Sequence, residues 1–172
     1  MNTSARPVGT RSTMARARGK VPEITVAFWI FAILALTVGE TIADYLAENL
    51  ELGLTNATYI MGTALIVSMV FQFRSRQYVP GIYWSTVVLL TIVGALITDN
   101  LVAYLGISLA ASAALFAATL AITFVVWHAV EHTVSVSSIH TIRREAFYWL
   151  AMLLAVALVA SIGDLVARSL RG

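Results

Sequence analysis

The sequence predicts an all-α fold: a polytopic membrane protein of about five transmembrane helices with a threefold internal repeat. Three observations lead there. Hydrophobic residues make up 59% of the 172 positions and charged residues only 12%, against roughly 45–50% and 25% in soluble domains. Apolar runs long enough to cross a bilayer, which takes about 20 residues, recur along the chain. Three times, a tryptophan preceded by another aromatic stands 15 residues before an aspartate: Phe28-Trp29 before Asp44, Tyr83-Trp84 before Asp99, and Tyr148-Trp149 before Asp164.

The chain opens with Arg6, Arg11, Arg16, Arg18 and Lys20 among Ser, Thr, Gly and Pro, with no acid. Such a stretch cannot bury enough apolar surface to offset its ordering entropy. Residues 1–20 therefore read as a disordered basic cytoplasmic tail, and 21–172 as a single transmembrane helical domain. The tail serves as a topology signal that also meets anionic lipid, and no nucleic-acid partner is expected. It is no secretory leader, because no short apolar core ending in a small-residue cleavage site follows it.

Five segments are predicted to span the bilayer: Ile24–Leu46, Ala57–Phe73, Ile82–Tyr104, Leu109–Val130 and Ala146–Ala167. Val21-Pro22 leads into the first and Val79-Pro80 into the third; proline suits a helix start because its missing N–H would have no partner there. Gly39 and Gly94 each stand five residues before their aspartates, and Leu52-Gly53 and Leu105-Gly106 turn the chain back. In the even segments, Gly62, Ala64 and Ser68, and Ala110, Ala113 and Ala117, allow close helix packing. The chain thus reads as two hairpins and a third half-copy. A sixth helix or a second subunit would complete the pattern, so a homodimer is one expected partnership. The copies run parallel and not inverted, so the inverted-repeat transporter plan does not apply directly.

Basic residues set the orientation. Besides the tail, Arg74 and Arg76 follow the second segment and Arg143 and Arg144 follow the fourth, while the first and third connections carry no Lys or Arg. The positive-inside rule then puts the N-terminus in the cytoplasm, and the expected location is an inner (cytoplasmic) membrane. Arg168 and Arg171 run against it, which leaves an even count, with the fifth segment re-entrant or tilted, as the alternative. Trp29, Trp84 and Trp149 read as interfacial anchors, with Trp127 serving similarly.

The chemistry lies in the acids. A charged side chain at the centre of a membrane helix costs about 2.5–3.5 kcal/mol on insertion scales. Glu40 and Asp44 share one helix face; Asp99 has Thr98 and Asn100 beside it, and Asp164 follows Ser161 and Gly163. Each tryptophan-to-aspartate interval spans about 22 Å of helix, which sets the acids toward the outer face, with Glu40 about 6 Å deeper than Asp44. No segment carries Lys or Arg in its interior. The acids must then be protonated, hydrated, drawn to the interface, or holding a cation. Oxygen ligands alone suit hard ions such as Mg²⁺, Ca²⁺ or Mn²⁺. Plain interfacial hydration competes with that reading, most strongly for Asp99 and Asp164.

His128, Glu131 and His132 form an H-x-x-E-H pattern, with His140 nearby. Histidines four apart on a helix can share a metal, and the pattern occurs in one class of metalloproteases. No third ligand at suitable spacing follows, so these residues read first as interfacial polar groups and second as a cytoplasmic metal mouth. The chain has no cysteine, which excludes disulfides, thiolate metal sites and cysteine nucleophiles. There is no glycine-rich phosphate loop and no nucleophile–base pair, so no enzyme is expected.

The stretches Val21–Ile30, Thr37–Asp44, Phe71–Arg74, Tyr78–Trp84, Thr98–Asn100 and Arg143–Trp149 resemble a bacterial family labelled uncharacterised membrane-anchored proteins. The resemblance covers about Lys20 to Asp164. It implies a repeat-built bundle of membrane helices and little firm biochemistry. The resemblance also implies that members often carry a lysine after the Phe-Trp pair, at the place of Ala32 here, so that this chain would lack one partner for its acids. The expected function is a small transporter or channel-like protein for a divalent cation. Glu40 and Asp44 form its core, Asp99, Asn100 and Asp164 contribute, and a proton is taken up when the site empties. The alternative is an accessory protein that scaffolds a partner.

Overall fold

The computed structural model describes residues 20–49, 52–132, 134, 139 and 141–171, and these form five α-helices. They are α1 (Val26–Asp44), α2 (Gly53–Arg74), α3 (Pro80–Leu105), α4 (Leu109–Glu131) and α5 (Ile142–Arg171), with α1 running on through a π-helical turn at Tyr45–Asn49. All five are long and apolar enough to cross a membrane. The protein is a multi-pass membrane protein.

Local chemistry sets the helix ends. The Thr25 side chain accepts from the Phe28 N–H at 3.3 Å and Ser108 Oγ from the Ala111 N–H at 3.2 Å, each satisfying one orphan donor of a first turn. Pro80 opens α3. Gly106 closes it at φ 63, a left-handed conformation that glycine adopts at no steric cost. His132 closes α4 at φ 54, its N–H donating to the His128 carbonyl at 2.8 Å. We call the end where α1 begins the near end and the opposite end the far end.

In lipid the tails are as apolar as leucine, so close packing and polar contacts hold helices together. The structure follows that rule unevenly. α3 is the hub, packing against α1, α2 and α5, while α4 packs on α5. Over its most apolar stretch α3 is 56% buried, against 17% in α1 and 6% in α2. The outer helices present Ile33, Leu34, Ile66, Val67, Ile122 and Val125 outward, the apolar surface a lipid-facing helix needs.

The two hairpins dock in the same way. α1 and α2 both pack on α3, and α3 and α4 both touch α5. The repeat glycines mark the junctions. A Cβ on Gly39 would overlap the Thr91 hydroxyl and come within 3.2 Å of Ile92 N; a Cβ on Gly94 would lie 2.8 Å from Val156 Cγ1 and 3.3 Å from Ala157 N. Measured from the tryptophan of each copy, Thr91 and Val156 hold equivalent positions, as do Ile92 and Ala157. One helix–helix junction is therefore used twice. Hydroxyls reinforce it: Thr91 Oγ1 donates to the Ala35 carbonyl at 3.0 Å, and Thr98 Oγ1 to the Ala157 carbonyl at 3.2 Å.

Two expectations change and one alternative falls away. The fifth helix is continuous over 30 residues, so it is not re-entrant; Thr141 caps its start, accepting from the Arg144 N–H at 3.3 Å. The tryptophans are not equivalent anchors. Trp29 is exposed and Trp84 half-buried, but Trp149 and Trp127 are each only 2% exposed, because α3 packs over α5 and Phe147 stacks on Trp127. Lys20, assigned to the tail, is packed into the bundle. Residues 1–19 lie outside the described residues.

Overpacking a tight core costs about 1–3 kcal/mol. Gly39→Val and Gly94→Val are each expected to destabilise by about that much in mixed-micelle denaturation. Gly62→Val, where an added Cβ meets nothing within 4 Å, should leave the midpoint nearly unmoved; equal losses at all three positions would refute the junction.

Candidate functional site

The repeated acids collect at the far end. Glu40 lies on α1 next to the Gly39 contact, Asp99 on α3 next to buried Thr98, and Asp164 on α5 beyond buried Ser161. Glu40, Asp99 and Asp164 are half-buried and Asp44 is exposed. Glu40 experiences repulsion from Asp164, Asp44 and Asp99, and Asp99 from Asp164, Asp44 and Glu48. The repeat thus delivers carboxylates from three helices to one region, because α1, α3 and α5 run the same way and meet through the glycine junctions. Arg168, in the last turn of α5, exerts an opposing attraction on Asp99. Among the described residues no ion pair joins any of these four acids to a basic side chain.

The acids do not form a tight cage. Among the described residues, no three His, Asp or Glu side chains come together as a group able to hold a metal ion. Asn100 is committed elsewhere, its Nδ2 donating to Thr58 Oγ1 at 2.9 Å and to the Leu96 carbonyl at 2.6 Å, so it ties α3 to α2. The hydroxyls beside the acids are likewise turned to helix carbonyls: Thr41 donates to Thr37 at 2.9 Å and Ser161 to Ala157 at 2.9 Å. The arrangement is a partly wet concentration of negative charge. It can attract a hydrated cation, but in this conformation it does not replace the ion's water shell.

The H-x-x-E-H residues are also placed apart from a metal geometry. His128 and His132 are exposed. Arg144 Nε donates to Glu131 Oε2 at 2.6 Å, and Arg143 lies 3.8 Å from the other carboxylate oxygen. Glu131 thus fastens the end of α4 to the start of α5. His140 lies outside the described residues.

A polar site that the sequence reading missed sits at the near end. Lys20 Nζ donates to Glu145 Oε2 at 2.6 Å and to the Phe73 carbonyl at 3.2 Å, while Gln72 Nε2 donates to Glu145 Oε1 at 3.3 Å. Glu145 is 1% exposed. This is a buried ion pair that joins the entry to α1, the end of α2 and the start of α5. Next to it, the Tyr83 and Tyr148 hydroxyls share a hydrogen bond of 2.5 Å, and Trp149 packs on Tyr83 at 5.4 Å between ring centres. The near end is therefore filled. The signals were present but faint: Gln72 is a lone amide near the end of an apolar run, and Glu145 is an acid three residues before the Tyr148-Trp149 pair.

Removing one partner of a buried pair strands the other charge, typically at about 3–5 kcal/mol, whereas replacing both by apolar groups is often neutral. Lys20→Met is expected to lower stability by about that amount. The Lys20→Met/Glu145→Leu double variant should recover most of the loss. Thermal unfolding of the three proteins in one detergent checks the pair; equal losses in single and double variants would count against it.

Comparison with curated proteins and with solved structures finds no match to either. The family described as Repeat of Unknown Function (DUF347) matches residues 27–78 and 82–133. The two matched copies cover α1 with α2 and α3 with α4, up to the loops that follow, which are the two hairpins that dock alike. The α5 half-copy lies beyond both matches and keeps the aromatic pair and the aspartate. The chain belongs to the Repeat of Unknown Function (DUF347) family.

Proposed function

We propose that this protein is a small cation transporter or channel-like protein of a bacterial cytoplasmic membrane, with its N-terminus inside and a divalent cation as cargo. The observation that carries the reading is the gathering of Glu40, Asp44, Asp99 and Asp164 at the far end without an ion-paired basic partner among the described residues. Unpaired carboxylates from three membrane helices are costly to hold, and a cation or proton in their midst relieves the repulsion. The spacing favours a hydrated ion at first contact, with dehydration requiring the helices to close further. Tyr83, Tyr148 and Trp149 are buried against one another at the near end, so the proposed passage requires them to separate. His128, Glu131 and His132 are not required by the mechanism. No enzymatic step is proposed.

A second reading, an accessory protein that scaffolds a partner, is favoured by one observation: the described acids do not converge into a metal-holding group. One experiment separates the two. Liposomes containing the protein are loaded with a fluorescent indicator and given Mn²⁺, Mg²⁺, Ca²⁺ or Zn²⁺. Transport predicts saturable entry, lost in the Glu40→Gln/Asp44→Asn variant while insertion and helix content are kept. Equal entry in variant and parent would remove the site, and no entry in either would favour the scaffold.

A further inference from the structure

The buried pair at the near end has the make-up of a cation site with an occupant already in it. Three oxygens of different kinds gather there. Glu145 is 1% exposed, and its Oε2 accepts from Lys20 Nζ at 2.6 Å. The Phe73 carbonyl accepts from the same nitrogen at 3.2 Å. It belongs to the last turn of α2, where a carbonyl has no partner within its helix and the helix dipole adds negative charge. Gln72 is 1% exposed, and its Nε2 donates to Glu145 Oε1 at 3.3 Å. The donor end of that amide is thus committed to the carboxylate. Its Oε1 is buried and has no hydrogen-bond partner among the described residues. A carboxylate, a helix-end carbonyl and an unpartnered amide oxygen are ligands for a hard cation. One carboxylate among neutral oxygens balances one positive charge, so the site suits a singly charged ion.

The occupant points the same way. Lys20 is the only lysine of the chain, and the other ten basic residues are arginines. A guanidinium is a planar fork, whereas an ammonium is a compact point charge. The single basic side chain buried among the described residues is also the single ammonium. Lys20 stands ahead of α1 and outside any helix, so it can leave the site without unwinding one.

We propose that Glu145, the Phe73 carbonyl and Gln72 form a binding site for a compact, singly charged cation, which the Lys20 ammonium fills in this conformation and yields to a free ion. With Lys20 in place, the entry to α1 is tied to α2 and α5; with a free ion in place, that tie is released. The site lies at the opposite end from Glu40, Asp44, Asp99 and Asp164, so the inference stands whether or not those acids carry cargo.

Na⁺ and K⁺ are the probes, with choline as a bulky cation that controls for ionic strength and Mg²⁺ as the divalent comparison. Lys20→Met keeps the apolar stem and removes the ammonium. In choline buffer its unfolding midpoint is low, and Na⁺ or K⁺ is expected to restore most of the loss saturably, as a ligand of the native state does. The parent should respond far less, because its own ammonium competes, and Lys20→Met/Glu145→Leu should not respond at all. In Lys20→Met/Gln72→Leu the half-saturating concentration should rise severalfold. The proposal is overturned by a folded Lys20→Met that gains nothing beyond choline, by an equal gain in the parent or without Glu145, or by rescue with Mg²⁺ at lower concentration than with Na⁺ or K⁺. A second measurement needs no substitution. An amine-reactive reagent on the parent modifies only Lys20 and the N-terminal amine, which peptide mass tells apart. Na⁺ or K⁺ should speed modification of Lys20 relative to choline. The concentrations needed should exceed those that rescue Lys20→Met, since a tethered group competes at an effective concentration of the order of millimolar. A modification rate that neither ion changes would make Lys20 a fixed structural partner and refute the exchange.

Discussion

Everything in this bundle depends on how closely one odd helix can approach the next. Water does not drive helices together inside a bilayer, so contact area and short-range packing must do it. Gly39 and Gly94 provide that approach by having no side chain where Thr91 and Val156 press in. The close spacing also lets threonine hydroxyls reach carbonyls of the neighbouring helix, as Thr91 does to Ala35 and Thr98 to Ala157. A hydroxyl of this kind satisfies itself and adds a cross-helix tie, which suits a medium where an unmet polar group is expensive.

The same junction places the chemistry. Because α1, α3 and α5 are parallel and joined at equivalent heights, their aspartates come to the same end, where Glu40 joins them. The opposite end is closed by different means: a buried Lys20–Glu145 pair with Gln72, and a layer of tyrosine and tryptophan. The molecule is therefore electrostatically polarised along its axis, with half-buried acids at the far end and a buried, paired lysine and glutamate at the near end. That asymmetry is the physical basis for reading it as a conduit for cations.

Much of the architecture was legible along the chain. The five spans and their order follow from apolar run length, since a bilayer demands about 20 residues per crossing, and from Pro80 and Gly106, which mark helix ends by their own backbone restrictions. The repeat was legible because it keeps Trp29, Trp84 and Trp149 in fixed register with Asp44, Asp99 and Asp164. The candidate site was legible only as a set of residue types. That Asn100 is spent on Thr58, and Glu131 on Arg144, depends on which helix faces which, and helices apolar on every side carry no periodic stripe to reveal it.

The sequence by itself determined the class, the number of spans, the repeat and the residues available to bear charge, because length, hydropathy and register are one-dimensional properties. Only the tertiary structure decided that α3 is the hub, that Trp149 and Trp127 are core while Trp29 faces outward, and that Lys20 leaves the tail to neutralise Glu145. The reason is that burial of a membrane helix is set by its neighbours and not by its own composition. A lysine and a glutamate 125 positions apart pair only because the helices between them bring the entry to α1 and the start of α5 to one face.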